Sequence, residues 1–375
     1  MDRESLIVWG LLGLAPLAGL AASVSGTAAH KAGGADPAGW RLVEPATYEN
    51  LSVFPVVSAQ AGETGGFVTL DEALASGDAV VSERGGDVLR RTRDGRPTTV
   101  PYQGGASVNQ LVLVNRGKRP LVILAGELLS GGKQDRIVAK DRIVAPGAEP
   151  LPLDVFCVEH GRWSAGAQFA SAKVMVHPSV REKAAVDQKQ SDVWAAVRSG
   201  TTAEANPSAP PARLSMDSLA GVIGHEARSE SYKGIYQSSR VGSAVEPFAE
   251  EVQRRFARAT TGLKGEHVVG VVVAYGGEVA WSDVFASPAL FEHYWPKLLR
   301  SYVVEALARP QSKEHSSADA AREFLQPLNG RENVESEPGV YRWRQVTQGH
   351  YAEIELEALH PVNLTIHRLK IHRTS

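Results

Sequence analysis

A chain of 375 residues with 43% hydrophobic and 22% charged residues can bury a large core and exceeds one average domain, so two domains or one elaborated domain is expected. Lys+Arg number 40 and Asp+Glu 42, for a formal net charge of −2, and no basic run is interleaved with aromatics. That balance argues against nucleic acid as a partner. The lone Cys157 excludes an intramolecular disulfide and is compatible with export without arguing for it.

From the N-terminus, Leu6 to Ala22 is almost wholly apolar, and small residues follow to Ala29. Residues 1–29 therefore read as a signal peptide, with periplasmic or secreted localisation and no membrane contact after cleavage. The weakly cationic Asp2-Arg3-Glu4 head and Pro16 keep a retained anchor as the alternative. A flexible tether is expected over 30–47, a β-rich part over 48–177 and a helix-and-hairpin part of the same domain over 178–375.

Strand signals dominate the first part. Val108 to Val114 and Leu121 to Ala125 are apolar runs without alternation, expected to be buried on both faces and joined as a hairpin by the polar turn Asn115 to Pro120. One helix is signalled over Leu70 to Ser76, capped by Thr69 and stopped by Gly77. Asp135-Arg-Ile-Val-Ala and Asp141-Arg-Ile-Val-Ala read as two facing or successive strands of similar composition.

Helices take over after Pro178. Ser179 with Glu182, and Ser243 with Glu246, have capping-box spacing; Val245, Phe248, Val252, Phe256 and Ala259 form an apolar stripe. Gly276-Gly277 between Val268–Tyr275 and Glu278–Phe285 predicts a hairpin. Pro288 opens a helical region with Phe291, Tyr294, Trp295, Leu298, Leu299, Tyr302 and Val303 on one side, and Pro296 predicts a kink or a new start. Two late strands, Val340–Val346 and Tyr351–Ala358, close the chain, the second with Glu353, Glu355 and Glu357 on a wet face. The fold class is α+β: an N-terminal β-sandwich-like layer packed with a C-terminal helix-and-hairpin part.

Two polar clusters interrupt the apolar runs: Gly126 to Arg136 and Cys157 to Trp163. Glu127 closes one run and Glu159 ends a row with Leu151, Leu153, Val155 and Cys157. A carboxylate at such a place must be paired or its pKa rises; Arg162 and Arg136 are the candidate partners. The Ser130-Gly-Gly-Lys133 loop lacks the Lys and Ser/Thr positions of a phosphate-cradling P-loop, and Ser130-x-x-Lys133 lacks the companion motifs of a serine acyl enzyme. Cys157 reads as an inert core thiol. The histidines are scattered, His360, His367 and His372 have no carboxylate at ligand spacing, and no metal or other cofactor is expected. Asp283 stands as an orphan acid.

The segments Gly131-Gly-Lys-Gln-Asp-Arg136, Cys157-Val-Glu-His-Gly-Arg-Trp163, Phe285-Ala-Ser-Pro-Ala-Leu-Phe291 and Trp295-Pro-Lys-Leu-Leu-Arg-Ser-Tyr302 resemble the ADP-ribosylglycohydrolase- and rhodanese-phosphatase-superfamily-associated protein domain, over roughly Tyr48 to Leu369. The resemblance implies a role near nucleotide-sugar or glycan chemistry. In that reading Glu127 and Glu159 are the acid/base pair, Lys133, Gln134, Asp135, Arg136 and Arg162 contact an ADP-ribose-like or glycan ligand, and Trp163 stacks on it. The alternative is a non-catalytic exported module in which the same residues pin the structure. Convergence of Glu127, Arg136, Glu159 and Arg162 on one cleft separates the two.

Overall fold

The computed structural model describes residues 39–373 except 61, 63, 84–86, 92–96, 102–108, 159–166, 200–231, 238 and 361–362. The expected signal peptide and the expected site residues Glu159, Arg162 and Trp163 lie outside the described residues. All described residues fall in one compact unit.

The class is α+β, with the N-terminal part largely β. The strands are β1 (Trp40–Leu42), β2 (Ala46–Tyr48), β3 (Leu51–Ser58), β4 (Val68–Thr69), β5 (Ala79–Glu83), β6 (Asp87–Arg91), β7 (Pro97–Pro101), β8 (Gln110–Asn115), β9 (Leu121–Ile123) and β10 (Glu127–Gly131). They continue as β11 (Arg136–Val138), β12 (Arg142–Val144), β13 (Leu151–Cys157), β14 (Gln168–Met175), β15 (His267–Tyr275) and β16 (Glu278–Phe285). The last four are β17 (Arg331–Glu337), β18 (Tyr341–Gln348), β19 (Tyr351–Ala358) and β20 (Leu364–His372). Helices are α1 (Leu70–Ser76), α2 (Pro178–Glu182), α3 (Gln190–Ser199), α4 (Lys233–Gln237), α5 (Ser239–Ala259), α6 (Pro288–Ala308) and α7 (Ala318–Phe324).

Strands β10-β11-β13-β8-β5-β14 close an antiparallel barrel, so the layer anticipated as sandwich-like is wrapped on itself. Closure leaves no free edge among these strands. The second body is a nine-stranded sheet in the order β1-β3-β15-β16-β20-β19-β18-β17, with β2 also on β3. The first strands of the chain thus belong to the sheet built mostly by its last ones. Trp40–Leu42 and Ala46–Tyr48 both pair with β3, so the tether expected to reach residue 47 gives way to ordered strand by residue 40.

Three apolar clusters follow from this arrangement. Leu111, Leu113, Leu129, Val138, Leu153, Val155 and Phe169 fill the barrel. The largest cluster joins the barrel exterior (Leu128, Ile137, Phe156) to one sheet face (Val271, Val273, Phe285) through α5 and α6. On the other face, Phe54, Val272 and Val284 meet Ala321 and Phe324 of α7.

Several local signals act as expected. Thr69 caps α1 in a reciprocal capping box with Glu72, and Gly77 ends the helix at φ +79. Strands β15 and β16 form the hairpin on Gly276-Gly277. Other expectations are overturned by long-range partners. Strands β8 and β9 do not form a hairpin: β8 pairs with β5 and β13 in the barrel, whereas β9 pairs with β12 and β4. The Asn115 side chain redirects the chain there by donating to the carbonyls of Arg119 (2.9 Å) and Val144 (3.1 Å). Ser179 is no cap, because its hydroxyl donates to Glu305 of α6 at 2.7 Å; Ser243 lies inside α5, which starts at Ser239. Pro296 sits within α6, which runs through it as one helix.

Candidate functional site

The turn between β9 and β10 builds the site. Gly126 has φ +89, and a Cβ there would lie 2.7 Å from Arg181 Cγ, so the turn depends on glycine. It aims Glu127 inward. The Glu127 side chain is 2% exposed; its Oε2 accepts the Leu124 N–H at 2.7 Å and its Oε1 accepts from Lys297 Nζ at 2.5 Å. Lys297, on α6, also donates to Asp71 Oδ2 at 2.8 Å. Asp71 lies in the first turn of α1, accepts from the Ser171 hydroxyl of β14, and carries a side chain that is 22% exposed. Two carboxylates therefore share one ammonium, and the group meets solvent through Asp71.

Strand β14 is distorted beside this group. Glu127 faces Met175 and Leu129 faces Ser171, so residues 172–174 bulge against the single residue 128. Lys173 in the bulge has φ +56, a left-handed conformation that costs a non-glycine residue about 1 to 2 kcal/mol. Its N–H donates to Ser171 Oγ at 2.9 Å, which fixes the hydroxyl that holds Asp71. Local strain of this kind clusters at functional sites.

Electrostatically the two carboxyls are pushed apart. Burial raises Glu127 above the usual carboxylate range, the nearby Asp71 charge adds to this, and Lys297 opposes it without cancelling it. Burial also works against Asp71, but the charge and hydrogen bond of Lys297 and the Ser171 hydroxyl outweigh it and hold its pKa low. Lys297 is destabilised as a cation by burial and more than restored by the two acids, so its pKa is raised. The three titrate as a unit, with the proton favoured on the buried side.

The same turn carries a second network on its other side. Ala125 donates its N–H to Asp141 Oδ1 (2.7 Å) and accepts from Arg181 Nε (2.8 Å). Asp141 Oδ2 meets His367 Nδ1 at 2.6 Å, and His367 Nε2 meets Asp283 Oδ1 at 2.9 Å. Asp283 also accepts from Arg181 (2.9 Å), the Trp281 indole N–H (2.7 Å) and the Tyr302 hydroxyl. Asp283 is therefore no orphan acid, and His367 has carboxylates that sequence spacing could not reveal. With both ring nitrogens on carboxylates and no exposure, this network is a pin between barrel turn and sheet. Among the described residues no group of His, Cys, Asp and Glu could hold a metal ion.

Of the remaining predicted residues, Gln134, Asp135 and Arg136 are buried and Lys133 is exposed. Asp135 pins the Gly131 N–H at 3.1 Å. Arg136 contacts Gln134 and Asp135, and shares no hydrogen-bond partner with Glu127. Asp71, Ser171 and Lys297 were missed. A signal for Lys297 existed: Lys297, Ser301 and Glu305 recur every fourth residue along α6, on one stripe of the helix, and all three are buried.

Among known protein families, the model of the ARG and Rhodanese-Phosphatase-superfamily-associated Protein domain matches residues 39–372. No curated protein and no solved structure gives a match.

Proposed function

The chain belongs to the ARG and Rhodanese-Phosphatase-superfamily-associated Protein domain family, and from that premise we propose that it binds and hydrolyses an ADP-ribose-like nucleotide sugar or a glycan at the Glu127–Lys297–Asp71 group. The substrate class rests on the association stated in the family's description. The observation that carries the chemistry is geometric: two carboxyls share one lysine ammonium, Glu127 enclosed and Asp71 open to solvent, an arrangement that displaces their pKa values in opposite directions and so separates acid from base. Glu127 donates the proton to a leaving-group oxygen, and ionised Asp71, the member open to solvent, stabilises developing positive charge or activates water. Lys297 fixes both carboxyls. Asp71 takes the role of second carboxylate here because it shares Lys297 with Glu127.

Turnover of an ADP-ribosylated peptide and of aryl glycosides, followed for wild type, Glu127→Gln and Asp71→Asn, tests the reading. Turnover is expected to fall by at least about a hundredfold in both variants with the fold retained, and the wild-type rate to be bell-shaped in pH. The acidic limb reports ionisation of Asp71, and the alkaline limb the loss of the Glu127 proton. A specific observation favours a second reading, the non-catalytic module: both Glu127 oxygens already have protein partners. Wild-type protein without turnover, together with a large loss of stability in Glu127→Gln, selects that alternative.

Export belongs to the same proposal, on the apolar Leu6 to Ala22 run and the small residues behind it. The intact mass of the native product is expected to begin between about Ala22 and Lys31. A mass that includes Met1 to Leu20 selects the anchor or the cytosol instead.

A further inference from the structure

At one end of the barrel lies a buried cation that has no counter-charge among the described residues. Arg136 pairs in register with Leu129 of β10 and Cys157 of β13, and Leu129 packs inside the barrel. Opposed residues of paired strands share a face, so Arg136 and Cys157 continue the inward row at the barrel mouth. Arg136 is 2% exposed. Its guanidinium makes two long hydrogen bonds from one nitrogen, to Gln134 Oε1 and the Asp135 carbonyl, both 3.3 Å, and its Nε is buried with no partner.

Comparison within the molecule makes this exceptional. Arg181, equally buried, has Asp283 at 2.8 Å; Arg368 has Glu353 at 2.8 Å and Arg309 has Glu305 at 2.9 Å. Arg136 has no carboxylate at ion-pair distance among the described residues. Glu83 of β5 accepts the Lys133 N–H at 2.8 Å. A buried charge is tolerated when something neutralises it, and an arginine cannot escape by losing its proton.

The loop over the mouth is shaped for close approach. Gly132 has φ +52, and a Cβ there would sit 2.2 Å from Phe169 Cζ, so Gly131-Gly132 closes tightly over β14 while Lys133 stays exposed beside it. Gln134, 7% exposed, turns its amide oxygen to Arg136, leaving its NH2 group as a further donor.

We propose that the barrel mouth is a binding site for a small oxyanion, a phosphate group above all, held by the Arg136 fork with the Gln134 amide. The site shares no hydrogen bond with the Glu127 group and stands whether or not that group is catalytic. Two sources carry this chemistry, free phosphate and the diphosphate of a nucleotide sugar.

The test is thermal denaturation of the full protein in chloride buffer, with inorganic phosphate at matched ionic strength and, separately, with ADP-ribose, for wild type, Arg136→Met and Gln134→Ala. Phosphate is expected to raise the wild-type Tm saturably by several degrees, Gln134→Ala to require more of it, and Arg136→Met not to respond. In chloride alone Arg136→Met should match or exceed wild type, because a buried charge held by only two long hydrogen bonds among the described residues has been removed. A response to ADP-ribose without one to phosphate supports the site with the nucleotide diphosphate as the source. No wild-type response to either at millimolar concentration overturns the proposal, as does an equal response in Arg136→Met. If Arg136→Met does not fold, calorimetric titration of wild type and Gln134→Ala with phosphate decides: saturable binding that weakens in the variant supports the site, and absence of binding overturns it.

Discussion

Lys297 holds two carboxyls with one ammonium, so its removal acts on both. Lys297→Met keeps an unbranched side chain, one atom shorter, and leaves the Glu127 and Asp71 carboxyls without their cation. At neutral pH the variant is expected to lose about 3 to 5 kcal/mol, the usual cost of breaking a buried pair. The loss should shrink at mildly acidic pH, where the stranded carboxyls protonate, and urea unfolding at the two pH values measures both. Glu127 was legible in the sequence because a carboxylate directly after an apolar run demands an explanation. Its partner was not, because Lys297 lies 170 positions away and nothing local to Glu127 points to it. Asp71 was hidden for another reason: an acid in the first turn of a helix is ordinary, since it complements the N-terminal dipole.

Among the elements, α1 was read to the residue, because everything that sets its ends is local: Thr69, Glu72 three positions on, and Gly77 in the left-handed conformation. Thr69→Ala should cost about 1 kcal/mol by removing the cap, and should also loosen Asp71, since that residue lies in the same first turn. Denaturant midpoints measure the first effect; a change in Asp71 titration by carbon-detected NMR measures the second. The false caps fail on the opposite ground. Ser179 and Glu182 have the right spacing, yet Pro178 starts the helix and the Ser179 hydroxyl goes to Glu305, 126 positions away. Strand β17, Arg-Glu-Asn-Val-Glu-Ser-Glu, offered no apolar alternation and was missed; it is an exposed edge, held by full register with β18 and protected from further pairing by its charges.

At the scale of the molecule, barrel and sheet are joined by buried charge, and stability should follow pH accordingly. His367 sits between Asp141 and Asp283; burial opposes its proton, but the carboxylates outweigh this and raise its pKa above 6.5. A raised histidine contributes stability that is complete below 6.5 and is lost as pH rises through the folded value. Asp283 runs the other way. Despite burial, Arg181 and His367 hold its pKa far below 3.8, so its contribution is present above 3.8 and disappears as pH falls toward the folded value. A stability plateau on the acidic side of neutrality, falling in alkali, is expected. His367→Gln should be less stable on the plateau and approach wild type as pH rises, which unfolding midpoints across pH measure. The α+β class and the β-rich first part could be read from turns and apolar runs. Closure of the barrel could not, because it depends on which strands pair, and pairing is set by partners remote in the chain.

The position of β3 constrains how the protein can be made. This strand, Leu51–Ser58, is buried along its whole length and lies inside the sheet, yet β15, its partner on one edge, is not synthesised until more than two hundred residues later. At 5 to 20 residues per second the ribosome takes on the order of ten to forty seconds to cover that gap. Throughout that interval β3 has only the short strands β1 and β2 on one edge, while Phe54 and Val56 lack their packing partners Val272, Val284 and Phe324, and pairing across so long a separation is slow. Nascent chains that stop short of residue 275 therefore carry β3 with its β15 edge open, and truncation before β15 is expected to give aggregation-prone protein.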